Sequence, residues 1–132
     1  MPYCPILIID DDPDDREFLI DSFRQTGVEG IVGVASAEAA FAFLQQIPDG
    51  HDLPRLIVTD LNMPGINGYE FLRALKQIQR YRHIPVIVCS TSSMPTDAQA
   101  ARASGAEAFI TKPATFSEYV HVTQQMCSMA LA

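Results

Sequence analysis

The 132-residue chain has only three cysteines, Cys4, Cys89 and Cys127, set far apart. That spacing fits neither a disulfide framework nor a zinc site. Cys89 stands inside an apolar run and reads as a small buried side chain. Cations are scarce as well. Nine Lys and Arg face sixteen Asp and Glu, a net charge of -7, which disfavours nucleic acid or an anionic membrane as a direct partner. No apolar run approaches the ~20 residues that span a bilayer, and the N-terminus lacks the basic-then-apolar pattern of a signal peptide. The expected location is the cytoplasm. There is no internal repeat, linker or low-complexity tract.

What is present is an ordinary globular content, 48% hydrophobic, at a length that suits one domain over residues 1–132 with a proper core. The acids are unevenly placed: seven of the sixteen lie between Asp10 and Asp21. The stretch LIVTDLNMPGINGYEFL, from Leu56 to Leu72, organises the rest. An apolar run ends in Thr59 and a single carboxylate, Asp60. Turn residues Asn62, Pro64, Gly65, Asn67 and Gly68 follow, and a helical pattern begins at Tyr69, with Phe71, Leu72, Leu75 and Ile78 at helical spacing. This is a buried strand with an aspartate at its carboxyl end. In open parallel sheets that edge is where ligands sit.

Four more strand–helix units are legible. Ile6 to Ile9 is all apolar, as in a strand covered on both faces. It ends in Asp10-Asp11-Asp12, and Pro13 opens a helix that carries Phe18, Leu19 and Phe23 and stops at Gly27. Ile31 to Ala35 is a second strand, weakened by Gly33. Ser36 caps a helix to Ile47, with Ala40, Phe41, Leu44 and Ile47 inward. Pro85 to Cys89 is the fourth strand, ending at Ser90-Thr91-Ser92, and Pro95 to Ser104 is a helix closed by Gly105. Ala108 to Thr111 is the fifth strand, ending at Lys112-Pro113. The last helix runs from about Phe116 to Met129, with Tyr119, Val122, Met126 and Met129 as its inner stripe. The alternation predicts an α/β fold: a doubly wound, flavodoxin-like five-stranded parallel sheet in the order 2-1-3-4-5 with five helices.

Parallel strands share a carboxyl edge, so Asp10 and Asp11, Asp60, Ser90 and Lys112 are expected to converge. Singly, a strand-end Asp is usually a helix cap, a Lys before Pro is usually solvated, and a Ser after a strand is usually a turn. Their coincidence on four strand ends argues for a site. Three crowded carboxylates repel and need a cation; oxygen ligands with room for water suit Mg2+. Lys112 adds a fixed positive charge and Ser90 a hydroxyl. A flavodoxin-type mononucleotide site needs a Ser/Thr/Gly-rich loop after strand one, whereas DDDPDD would repel phosphate. A phosphatase with an aspartyl nucleophile, as in the haloacid-dehalogenase-like family, carries a general acid two residues on; here that residue is Asn62, which cannot serve. A phospho-acceptor that holds the group as a signal is the remaining reading.

These residues, in ILIIDD (6–11), LIVTDLNMPG (56–65), PVIVCS (85–90) and FITKP (109–113), resemble the receiver domain of two-component response regulators along essentially the whole chain. Lys112 lies 52 residues beyond Asp60, and the order of acid pair, Asp, Ser/Thr and Lys-Pro is that family's. The resemblance is to chemotaxis-type, stand-alone receivers. The loops after strands one and four are also similar to those of small regulators paired with bacterial phytochromes.

The resemblance implies residue roles. Asp60 is the phosphorylated residue, Asp11 the direct Mg2+ ligand and Asp10 the acid acting through water. Asn62 adds its backbone carbonyl to the metal. Ser90 and Lys112 contact the phosphoryl group, and Phe109 is the aromatic switch. Lys112-Pro113 is a cis peptide, Asp12 faces solvent, and Asn62 and Ser92 tune loss of the phosphoryl group. It implies a sensor histidine kinase or histidine phosphotransfer protein as donor, a protein regulator rather than a turnover enzyme, and output by protein contact, with no output domain in the chain. The helix Pro95–Ser104 offers only alanines as apolar residues. It is expected to be held loosely and to form, with strand five and the last helix, a partner or homodimer face.

Overall fold

The structure is a computed structural model and describes residues 4–130; the ends of the expected 1–132 domain lie outside that range. Ten elements alternate: β1 Ile6–Ile9, α1 Pro13–Gln25, β2 Val32–Val34, α2 Ala37–Gln45, β3 Leu56–Thr59, α3 Gly68–Gln77, β4 Val86–Ser90, α4 Pro95–Ala103, β5 Ala108–Thr111 and α5 Phe116–Ala130. The five strands form one parallel sheet in the order β2-β1-β3-β4-β5, as the alternation predicts.

The strands β1, β3 and β4 are buried along their whole length because successive side chains feed two different cores. Ile6, Ile8, Leu56, Val58, Ile87 and Cys89 meet Leu19 and Phe23 of α1 and Tyr119 and Met126 of α5. Leu7, Ile9, Ile57 and Val86 meet Ala40 and Leu44 of α2 and Phe71, Leu72 and Leu75 of α3 on the other face. A smaller cluster seats α4: Ala101 on Val88 and Leu61, with Tyr69 and Phe109 beside it. The edge strands β2 and β5 are half-buried. Gly33 in β2 lies close under α1: a Cβ there would meet the side chains of Arg16 and Ile20 at 3.0 Å, and these would have to give by a few tenths of an ångström.

The caps follow local chemistry. Asp12, exposed as expected, accepts from the N–H groups of Asp14 and Asp15 at the start of α1. Asn67 and Glu70 close a capping box on α3, which therefore begins at Gly68, one residue before the apolar pattern. By contrast, α4 follows Met94, which provides no side-chain cap, and Ala101 is its single fully buried residue. That agrees with the weak hold expected of an alanine-rich helix.

Three expectations are corrected. Ile78, read as continuing the helical pattern, is the residue after the last turn of α3 and is exposed. Met129 is also exposed, and Thr123 takes a buried position of α5 instead; in the final turn it is Cys127 and Ala130 that pack on the core, so Met129 lies on the outer face. The Lys112–Pro113 peptide is not cis, as no cis peptide occurs among the described residues. The lysine needs no such turn: its N–H donates to the Ser90 carbonyl at 2.6 Å, and the long side chain reaches the carboxylates from there.

Gly68 brings α3 hard against the end of β3. A Cβ on it would collide with the Asp60 carbonyl oxygen and lie 2.9 Å from the Leu61 Cα, both backbone atoms that cannot turn aside. Gly68→Ala is expected to cost about 1–3 kcal/mol, the usual range for overpacking, and to shift the amide resonances of Asp60 and Leu61. Urea unfolding with NMR checks both; unchanged stability would show that the contact is not tight.

Candidate phospho-acceptor site

The carboxyl edge is assembled by backbone bonds between neighbouring strands. Asp60 N–H donates to the Ile9 carbonyl at 2.8 Å and Asp10 N–H to the Val34 carbonyl at 3.1 Å, which sets the two acids side by side. The Arg16 guanidinium of α1 donates to the Asp10 carbonyl at 2.8 Å. Asp10, Asp11 and Asp60 each bring a carboxylate oxygen within 4.8 Å of the others; Asp10 and Asp60 are buried and Asp11 is exposed. The Lys112 ammonium, only 6% exposed, enters from β5. It lies 2.8 Å from Asp15 Oδ2, 3.0 Å from Asp10 Oδ2 and 3.3 Å from Asp60 Oδ2.

The partners differ in detail. Asp60 Oδ1 accepts from the Leu61 N–H at 2.7 Å, and Oδ2 faces Lys112. Asp10 Oδ1 accepts from the Asp12 N–H at 3.0 Å. Asp10 Oδ2 is buried without a hydrogen bond. Its contact with Lys112 is one of charge. Burial pushes the Asp10 carboxyl up to about 6, opposed by the Asp12 N–H and Lys112 and assisted by the Asp60 charge. Burial alone would depress Lys112, but its bond to Asp15, its close contact with Asp10 and the charges of Asp10 and Asp60 more than reverse this and raise it. An orphaned carboxylate oxygen, an all-oxygen donor set and one solvent-facing acid suit a hard divalent cation such as Mg2+.

The structure thus brings together Asp10, Asp11, Asp60 and Lys112. Ser90 lies fully buried at the end of β4, where its Oγ accepts from the Ser92 N–H at 3.2 Å. Phe109 is half-buried against the cluster of Leu61, Val88 and Ala101, and pairs with Val88 of β4. Asn62 is exposed in the loop after β3.

Sequence reasoning missed Asp15, which makes the shortest contact to Lys112. Its signal was the helix opened by Pro13, which turns the third residue of that helix toward the edge. It also missed Asp97 of α4. That carboxylate accepts from the Ser92 hydroxyl and from the Tyr69 hydroxyl at 2.9 Å, while Thr111 Oγ1 donates to the Ser92 carbonyl at 3.0 Å. The two hydroxyls hold Asp97 below the usual carboxylate range. The loop after β4 is thereby tied to α3, α4 and β5.

The response regulator receiver domain model matches residues 6–124. The chain belongs to the response regulator receiver domain family. Receivers are the phospho-acceptor signalling modules of two-component systems, and the phosphatase reading is not favoured. A Leptolyngbya boryana protein, an uncharacterized 14.6 kDa protein in the sodA1 3′ region, is 33% identical over 123 residues, 92% of this chain and 88% of its own. Response regulator Rre1 of Synechocystis is 32% identical over 108 residues, 82% of this receiver but 45% of Rre1, so the chain spans about half of that relative. Among solved structures, the phosphorylated cyanobacterial phytochrome response regulator RcpA superposes with a TM-score of 0.85 at 26% identity, covering 99% of this chain and 96% of RcpA. The Mn2+-bound form of response regulator Rcp1 gives 0.78 at 28% identity, covering 93% and 91%. No described helix of the receiver is long and apolar enough to cross a membrane.

The raised Asp10 pKa has a sign that can be measured. The folded state binds a proton near pH 6 that the unfolded chain binds near 3.8. Asp10 therefore contributes its full stability below about pH 4 and loses it as pH rises through 6. Asp10→Asn, neutral at every pH, should raise Tm by several degrees at pH 7.5 in metal-free buffer, and the gain should shrink at pH 5. A gain independent of pH would show that charge burial at Asp10 is not its cause.

Proposed function

We propose that Asp60 is the residue that accepts the phosphoryl group, with Lys112 and Ser90 as its protein partners and a divalent cation, Mg2+, held by Asp10, Asp11, Asp60 and the Asn62 carbonyl. The observation that carries the reading is the convergence of Asp10, Asp11 and Asp60, with the Lys112 ammonium beside Asp10 and Asp60, at the carboxyl edge of β1, β3 and β5. The bound Mn2+ of Rcp1 supports a divalent cation for such a site. When bound, Mg2+ would offset the charge of incoming phosphate oxygens.

Phosphoryl transfer is mostly positioning and charge neutralisation. An Asp60 carboxylate oxygen attacks the phosphorus of a phosphohistidine on a sensor kinase or phosphotransfer protein. The P–O bond forms as the P–N bond breaks, and the leaving imidazole nitrogen takes a proton from solvent. Lys112 neutralises the oxygens that arrive. The Ser90 hydroxyl now serves as an acceptor for the Ser92 N–H, which leaves its own hydrogen to donate to a phosphoryl oxygen. Its turn inward opens space for Phe109, biasing a two-state element. The chain assists its own phosphorylation and dephosphorylation and does not turn over other substrates. Its donor is a cytoplasmic kinase or phosphotransfer protein, and its output is a protein contact or homodimer through α4, β5 and α5.

Acetyl phosphate with Mg2+ should add one acid-labile phosphoryl group, seen by intact mass and lost in Asp60→Asn; label that persists in the variant sinks the assignment. Repeated turnover of a phosphate ester would favour an aspartyl phosphatase. Beryllofluoride with Mg2+ should change hydrogen exchange most between Ser90 and Ser104 and around Phe109, where α4 is uncapped and buries little. A response confined to the loop after Asp60 defeats this switch.

A further inference from the structure

Lys112 has three carboxylate neighbours but they are not equivalent. Asp10 is 1% exposed and has an oxygen that no other group satisfies; removing the ammonium would leave a buried charge uncompensated, a costly state. Asp60 is 9% exposed. Asp15 makes the shortest contact, 2.8 Å, yet is 26% exposed. It lies in the first turn of α1, where the helix dipole favours a carboxylate whether or not a cation is present. Water and that helix terminus can both replace the ammonium at Asp15, whereas at buried Asp10 only a bound divalent cation could.

We propose that Asp15 is the releasable partner of Lys112. It holds the ammonium away from full engagement with Asp60 in the resting state and gives it up when a phosphoryl group arrives. The inference rests on the assignment of Asp60 as acceptor and extends it to how the site is regulated. A phosphoryl group on Asp60 adds negative charge and acceptor oxygens beside Lys112. Three ammonium hydrogens cannot serve Asp10, Asp15 and the new oxygens equally well. Asp15 is the partner lost at least cost, and it turns to solvent. As a positioning residue it acts as a brake on phosphoryl capture. Because it belongs to α1, 97 residues from Lys112 in sequence, its release also carries the phosphorylation signal to a helix remote from α4.

Capture of beryllofluoride with Mg2+, followed by NMR titration, tests this. Asp15→Asn should bind the mimic roughly two- to fivefold more tightly than the parent, the scale expected on removing a partly exposed competing ion pair. Asp14→Asn makes the same change in net charge one residue away, at an exposed carboxylate without a bond to Lys112, and should change affinity much less. Asp15→Glu restores a carboxylate and should return affinity toward the parent. In the parent itself, the 13C signal of the Asp15 carboxyl should shift on binding while that of Asp14 stays, a reading that needs no variant. Asp15→Asn binding no more tightly than Asp14→Asn, or an unmoved Asp15 carboxyl, overturns the proposal. Capture that survives Asp60→Asn would instead overturn the acceptor assignment beneath it.

Discussion

A single ammonium among carboxylates holds this site together. Asp10 and Asp60 end neighbouring strands, and Asp15 looks in from α1. At short range, with burial, their mutual repulsion would be severe in the absence of Lys112. The lysine comes from the far side of β4, and its position depends on the backbone: the Lys112 N–H donates to the Ser90 carbonyl, which extends the β4–β5 ladder one step past Ser90↔Thr111. The charge balance of the site therefore rests on the register of the sheet. A one-residue slip of β5 would turn Lys112 to the other face and leave Asp10 without a cation.

The same dependence explains the close packing below the site. Gly68 lets the start of α3 touch the Asp60 carbonyl, so the strand end that bears Asp60 is clamped from one side by α3 and from the other by the bond to Ile9. Rigid backbone there contrasts with the loop after β4. That loop is secured by side chains, Ser92, Asp97, Tyr69 and Thr111, whose bonds exchange at modest cost, and the helix it leads into seats only Ala101 fully. A firmly held strand end therefore stands next to a loop latched by side chains.

Legibility in the sequence followed the range of the interactions. The strands β1, β3 and β4 read as short apolar runs because both their faces are buried, and every strand end was located to within a residue or two. Ile78 and Met129 stand at helical spacing and are nevertheless exposed: α3 ends at Gln77, and in α5 it is Ala130, not Met129, that packs on the core, a difference of one position that periodicity does not resolve. Asp15 looked like one of many solvated acids in an acidic segment; only its approach to Lys112 separates it from Asp14. Asp97 likewise has nothing local to mark it. The cis peptide belonged to the family resemblance and not to any residue pattern here, and the lysine reaches its partners without it.

What the sequence by itself determined is the alternation of elements, hence the parallel sheet, and the set of polar residues that must share its carboxyl edge. Those follow from hydrophobic period and from chain direction, both local properties. The tertiary structure alone decided which carboxylates share the ammonium, which of them can reach water, and which hydroxyls brace the loop after β4. Such choices depend on distances of a few ångströms between side chains far apart in the chain. Electrostatic and hydrogen-bond energies change steeply over that range, and no pattern along the sequence encodes it.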